Sequence, residues 1–180
     1  MNYFDEHAAE RAVRFIETYT VPTTVGKPVK LLPWQREYVR KLYGCRRANG
    51  QRQYKTAILS TAKKNGKTLL QAGILLYELL GNVQPSPFCV SASTTRENAG
   101  QIWKELDYSL KANPKLSKLL KEGKIKSLES YKEIRYREKA AKYKAFSADA
   151  GAAEGENISA LVVDELHAHQ SDKLYRSLEY

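Results

Sequence analysis

Cysteine is scarce in this chain: Cys45 and Cys89 are the two in 180 residues, far apart and without metal-ligand or redox spacing. That argues against a disulfide framework or a cysteine metal site and makes a reducing cytosol the default compartment. Both thiols read as small core residues. Long apolar runs are missing too, since none approaches the roughly 20 residues of a membrane span. The N-terminus, Met1 to His7, lacks the basic and apolar regions of a signal peptide. Internal repeats and low-complexity tracts are also lacking. What remains, 42% hydrophobic and 28% charged, is the composition of one globular domain long enough to bury a core.

Acidic residues are in short supply in one place. Residues 111 to 144 hold 12 Lys and Arg against 4 Asp and Glu, a net +8 of the chain's +10. A polyanion, nucleic acid first, is the partner such a segment suits, ahead of the common alternative of a solvated lysine-rich face. Tyr131, Tyr136 and Tyr143 alternate with the charges, either as stacking platforms or as the packed face of a hairpin.

In chain order, Asp5 to Tyr19 has helical spacing at Ala9, Val13 and Ile16, with Arg11 and Arg14 outward. Pro33 suits the first turn of a helix from Trp34 to Tyr43, which Gly44 ends. Trp34 reads as core; Gln35, a paired donor and acceptor, could read an adenine edge if it lines a pocket. Thr56 to Leu59 reads as a buried strand and Thr68 to Leu80 as a helix ended by Gly81. Phe88 to Ala92 is a second buried strand, and Thr94 or Thr95 caps a helix from Arg96 to about Lys111. A short helix from about Leu116 to Glu122 follows, then a hairpin of Lys132–Arg137 with Tyr143–Ser147 and a loop over 148–157. This order predicts an α/β fold with a mostly parallel central sheet flanked by helices.

Two motifs carry the chemistry. The loop Thr61-Ala62-Lys63-Lys64-Asn65-Gly66-Lys67-Thr68 joins the predicted strand to the predicted helix. A loop of this kind aims backbone N–H groups and the helix dipole at one spot, where a phosphate binds. Lys67 would reach the β- and γ-phosphates and Thr68 would offer its hydroxyl to Mg²⁺. Thr61 stands where the phosphate-loop pattern has its first Gly, so taken alone the stretch could be a lysine-rich turn. The second motif, Ala160-Leu161-Val162-Val163-Asp164-Glu165, is an apolar strand ending in two carboxylates, as at the ligand-binding edge of an open α/β sheet. Asp164 would hold Mg²⁺ and Glu165 would orient and deprotonate a water; alone, the pair could equally be a solvated acidic turn. In this order, with one strand–helix unit between them, the two motifs predict a P-loop nucleoside triphosphatase of the additional-strand, catalytic-glutamate type. His167 and His169 lack a second ligand cluster and read as polar loop residues, with His167 near the γ-phosphate.

Lys63 to Thr68, together with Val162-Val163-Asp164-Glu165-Leu166-His167-Ala168-His169, resembles the large terminase subunit of tailed double-stranded DNA phages. Leu31 to Gln35, Ser91 to Ala99 and Phe146 to Asp149 with Gly155 follow in that family's order. The resemblance implies an ATP-driven motor that moves DNA into a procapsid, with ATP and Mg²⁺ as its cofactors. It implies that Gln35 reads adenine, that Lys67 binds phosphate, that Thr68 and Asp164 hold Mg²⁺, and that Glu165 is catalytic. Lys63 falls where the family often has an arginine; a lysine is a point charge without the bidentate fork, and Lys64 is an alternative. The implied partners are double-stranded DNA gripped by its backbone through residues 124–147, a small terminase subunit, a portal protein and further copies of the chain in a ring. The implied location is the host cytoplasm, transiently at the portal. Residues 1–50 form the adenine-side helical segment and 51–180 a partial P-loop core. The family's coupling strand and C-terminal RNase H-like nuclease domain are not in these 180 residues, so a truncated ATPase domain without nuclease activity is expected. Two other readings stand beside this one: a non-catalytic nucleotide- or DNA-binding module, and a DExH-type helicase fragment resting on Asp164-Glu165-Leu166-His167.

Overall fold

The computed structural model describes residues 1–147 and 157–168. The loop at 148–156, His169 and the His167 side chain lie outside the described residues.

Two helices open the chain. α1 (Glu6–Tyr19) is capped by the Asp5 carboxylate, which accepts from the Ala8 N–H. α2 (Pro33–Gly44) begins with Pro33 in its first turn. Arg36 and Arg40 of α2 pair with Glu10 of α1, and Arg40 also reaches Glu6. Arg11 is not simply outward, because its Nε donates to the Tyr77 hydroxyl at 3.3 Å. A two-residue strand, β1 (Tyr3–Phe4), pairs with β2 (Cys45–Arg46), which places Cys45 half-buried at the edge rather than in the core. On α2 the buried positions are Gln35, Val39 and Tyr43, four residues apart. Trp34 is one residue off that face and 36% exposed, so it is not a core residue.

α3 (Lys67–Leu76) continues through a π-helical turn, Tyr77–Gly81. In that turn the buried Glu78 carboxylate accepts from the Tyr43 hydroxyl, Arg52 and Asn82. β3 (Phe88–Ser93) leads to α4 (Arg96–Ala112), whose cap Thr95 accepts from the Asn98 N–H. After α5 (Pro114–Lys121) come β4 (Ile125–Leu128), β5 (Glu133–Tyr136), β6 (Ala141–Ser147) and β7 (Ala160–Val163).

The sheet order is β4-β5-β6-β3-β7. β3 is parallel to both β6 and β7, whereas β4-β5 and β5-β6 are antiparallel. The α/β prediction therefore holds with a mixed sheet: a parallel core widened by a meander. One sheet face carries Cys89, Ile125, Ile134 and Tyr143 and packs on Leu75, Leu79, Ile102, Leu106 and Leu110 of the helices. The opposite face gathers Phe88, Val90, Ala92 and Phe146 with Ile158, Leu161 and Val163. Tyr143 is buried against the Ser91 hydroxyl and Tyr136 packs on the first core, so these two belong to the packed face. Only Tyr131, 68% exposed, is placed as a stacking platform would be.

One predicted element does not form. Residues 56–60 carry no strand, and Ile58 is 83% exposed. A strand exists only where a neighbour completes its ladder, and β7 pairs only with β3 among the described residues. No helix of the described residues is long and apolar enough to cross a membrane.

Candidate functional site

The segment from Thr61 to Gly66 is a loop, and α3 begins at Lys67. Gly66 precedes the helix in the left-handed region, φ 76°, which glycine adopts without strain. A Cβ there would meet Gln35 Nε2 at 3.1 Å, so glycine also admits the Gln35 amide. Within the loop, Asn65 Nδ2 donates to the Ala62 carbonyl, and Lys64 takes a left-handed φ of 66°. Lys63 and Lys64 are exposed, and among the described residues neither forms an ion pair.

Parallel pairing of β7 with β3 carries Asp164 and Glu165 to the C-terminal edge of the sheet, where the Asp164 N–H donates to the Ala92 carbonyl. There the two motifs meet: Lys67 Nζ lies 2.9 Å from Asp164 Oδ1. Thr68 follows Lys67 in the first turn of α3. The Glu165 N–H donates to the same carboxylate oxygen at 3.0 Å. Glu165 itself sits at φ 52°, a left-handed conformation uncommon for a non-glycine residue. Such strain is retained where the surroundings hold it and concentrates at functional sites.

Three side chains complete the arrangement. Gln35 is 5% exposed; its Oε1 accepts from the Leu32 N–H at 2.9 Å and its Nε2 donates to the Asn65 carbonyl at 3.3 Å. It thereby ties α2 to the phosphate loop. Asn98, in the first turn of α4, donates from Nδ2 to Glu165 Oε2 at 3.2 Å. Gln71, one turn after Lys67, donates from Nε2 to Asp164 Oδ1 at 3.5 Å. Sequence reasoning assigned no role to Asn98 or Gln71. The helical spacing of Lys67 and Gln71 was the available signal for one; the Asn98 contact depends on how β3 and β7 register.

The donor set suits a magnesium ion. A Thr68 hydroxyl and an Asp164 carboxylate are hard oxygen ligands, and Mg²⁺ uses one or two protein oxygens beside substrate phosphates and water. Among the described residues no group of three or more His, Cys, Asp or Glu side chains forms an all-protein metal cage. Chemically, the edge offers a cation and backbone N–H groups for phosphate, oxygens for a divalent cation, and one oriented carboxylate.

The large terminase subunit of Enterobacteria phage HK97 is 33% identical over 115 residues, covering 62% of this chain and 22% of that protein. The crystal structure of the HK97 bacteriophage large terminase matches with a TM-score of 0.72 at 29% identity, over 86% of this chain and 30% of that one. The chain thus spans less than a third of the length of these relatives. Residues 33–179 match the family described as terminase large subunit, ATPase domain, and the chain belongs to that family.

Proposed function

We propose that this chain is the ATP-hydrolysing motor domain of a phage terminase large subunit, driving double-stranded DNA into a procapsid. The observation that carries the reading is the 2.9 Å contact between Lys67 and Asp164, which joins the two motifs at one sheet edge.

In this structure Lys67 neutralises Asp164. The ATP phosphates compete for the same ammonium, so on binding Lys67 turns to the β- and γ-phosphates and releases Asp164. Thr68 and Asp164 would then hold Mg²⁺, which neutralises phosphate charge when bound. Glu165 orients the attacking water and takes its proton, while the Asn98 amide fixes one carboxylate oxygen and leaves the other for the water. Lys63 adds a point charge over the transferring phosphoryl group, with Lys64 able to substitute. Gln35 uses one N–H and one lone pair in its contacts, so its amide keeps one of each for an adenine edge.

DNA would be gripped by the meander. The register aligns Lys126 with Arg135 and Arg135 with Lys142 across β4, β5 and β6, a cationic row on the sheet face opposite α4. A row of this kind meets a phosphate backbone without reading bases. By family, further copies in a ring, a portal protein and a small subunit would be partners, in the host cytoplasm. The test is fluorescence anisotropy with labelled duplexes of unrelated sequence across salt. Three phosphate contacts predict a slope of about −2.7 in log K against log salt, equal for all sequences. A flat salt response or strong sequence preference would remove DNA from the reading. A second reading, a nucleotide-binding module without turnover, is favoured by the segment at 56–60 ahead of the loop, exposed but for Leu59 and without a strand partner among the described residues.

A further inference from the structure

Two oxygen atoms beside the carboxylates are buried with nothing to bond to. Ser93 ends β3 and is 1% exposed, and among the described residues its hydroxyl has no hydrogen-bond partner. Gln71 Oε1 is likewise buried and unpartnered, although Nε2 of the same amide reaches Asp164. Turning that amide over would set its oxygen against the carboxylate, so the acceptor is the end left open.

Both side chains belong to the surroundings of Asp164. Ser91 pairs with Val162 in the β3–β7 ladder, so two residues on, Ser93 lies beside Asp164 on the same sheet face. Gln71 approaches that carboxylate from α3. Leaving buried polar atoms unpaired is costly; the Gln71 oxygen can only accept, the Ser93 hydroxyl can accept as well as donate, and one donor-rich species beside Asp164 would serve both. Lys67 meets Asp164 Oδ1 and bonds to neither of these two oxygens. What fits is a species that donates through water. Waters bound to a divalent cation are strong donors, and Mg²⁺ keeps several of them.

We propose that Ser93 and Gln71 are outer-sphere positioning residues, accepting hydrogen bonds from waters of the divalent cation that Asp164 and Thr68 ligate. Ser93 steadies the hydrated ion from the sheet side and Gln71 from the helix side. This rests on the nucleotide reading above, and it adds two residues to which no motif assigns a role.

The test is calorimetric titration of the 180-residue chain with a non-hydrolysable ATP analogue, once with Mg²⁺ and once with EDTA, for the parent, S93A and Q71L. Mg²⁺ should tighten binding to the parent. Each variant should lose about 10-fold of that metal-dependent gain and keep the metal-free affinity. Melting of nucleotide-free S93A should be unchanged or higher, because the substitution removes an unpaired buried hydroxyl. A metal-dependent gain that survives intact in both variants would overturn the inference and leave the nucleotide reading standing. So would a lowered melting temperature with metal-free and metal-dependent affinity falling together, since that is plain structural damage. An analogue that the parent binds under neither condition would overturn the nucleotide reading, and this inference with it.

Discussion

Glu165 is held by its own backbone conformation and by a side chain distant in sequence. Its backbone occupies the left-handed region, at a cost of about 1–3 kcal/mol, and its Oε2 accepts from Asn98 on the far side of β3. A hydrogen bond to a charged group is worth about 1.5–3 kcal/mol, so N98A should lower kcat by about 10- to 100-fold. KM should stay within about twofold, because Asn98 touches the base and not the nucleotide; a rise in KM at constant kcat would contradict that role. The meeting of Lys67 with Asp164 was legible in the order of the two motifs, because parallel strands bring their C-terminal ends to one edge. Asn98, Gln71 and Ser93 were not, because an amide or hydroxyl gains a role only when strand register sets it beside a carboxylate. Trp34 misled because apolar character was read without its helical phase, which gives the buried face to Gln35.

At the scale of elements, helices were read well where capping chemistry marks them, at Asp5 and Thr95. Strands fared less well, because a ladder needs a distant partner: Thr56 to Leu59 look like a strand and are not one, while β4 went unnoticed beside its lysines. Helix contacts supply two predictions. A Cβ on Gly73 would lie 2.8 Å from Ile16 Cγ2, where α3 crosses α1. G73A should therefore cost about 1–3 kcal/mol in urea unfolding despite alanine's better helix propensity. A neutral or stabilising G73A would show that the crossing relaxes freely. The second concerns Glu10. Burial pushes its carboxyl up, but Arg36 and Arg40 outweigh that and hold it below the ordinary value of 4.5. A lowered folded pKa contributes stability above the unfolded value and loses it as pH falls through the folded one. E10Q should flatten the fall in melting temperature below about pH 4.5, and an unchanged acid limb would discount the pairing.

Over the whole molecule, charge and chemistry are separated. The sheet edge that joins the two motifs balances Lys67 against Asp164, while the net +8 of residues 111–144 sits on α5 and the meander. Much of that charge is locally paired: Lys124 bridges Glu122 and Glu138, and Arg135 holds Glu133. Composition therefore overstates the available surface, and the row of Lys126, Arg135 and Lys142, in which Arg135 also holds Glu133 and Lys142 lies over the Phe88 ring, is a smaller footprint than the lysine count suggests. Reversing Lys126 and Arg135 to Glu should weaken duplex binding and reduce the salt slope by about 2, with ATP binding unchanged. The central claim is that Lys67, Asp164 and Glu165 form one Mg·ATP-hydrolysing site. It is tested most directly by Mg²⁺-dependent phosphate release and ATP binding in the parent, K67A and E165Q. The account predicts turnover in the parent and none in either variant, with ATP binding kept by E165Q and lost by K67A. Turnover that survives E165Q, or ATP binding that is indifferent to K67A, would contradict it.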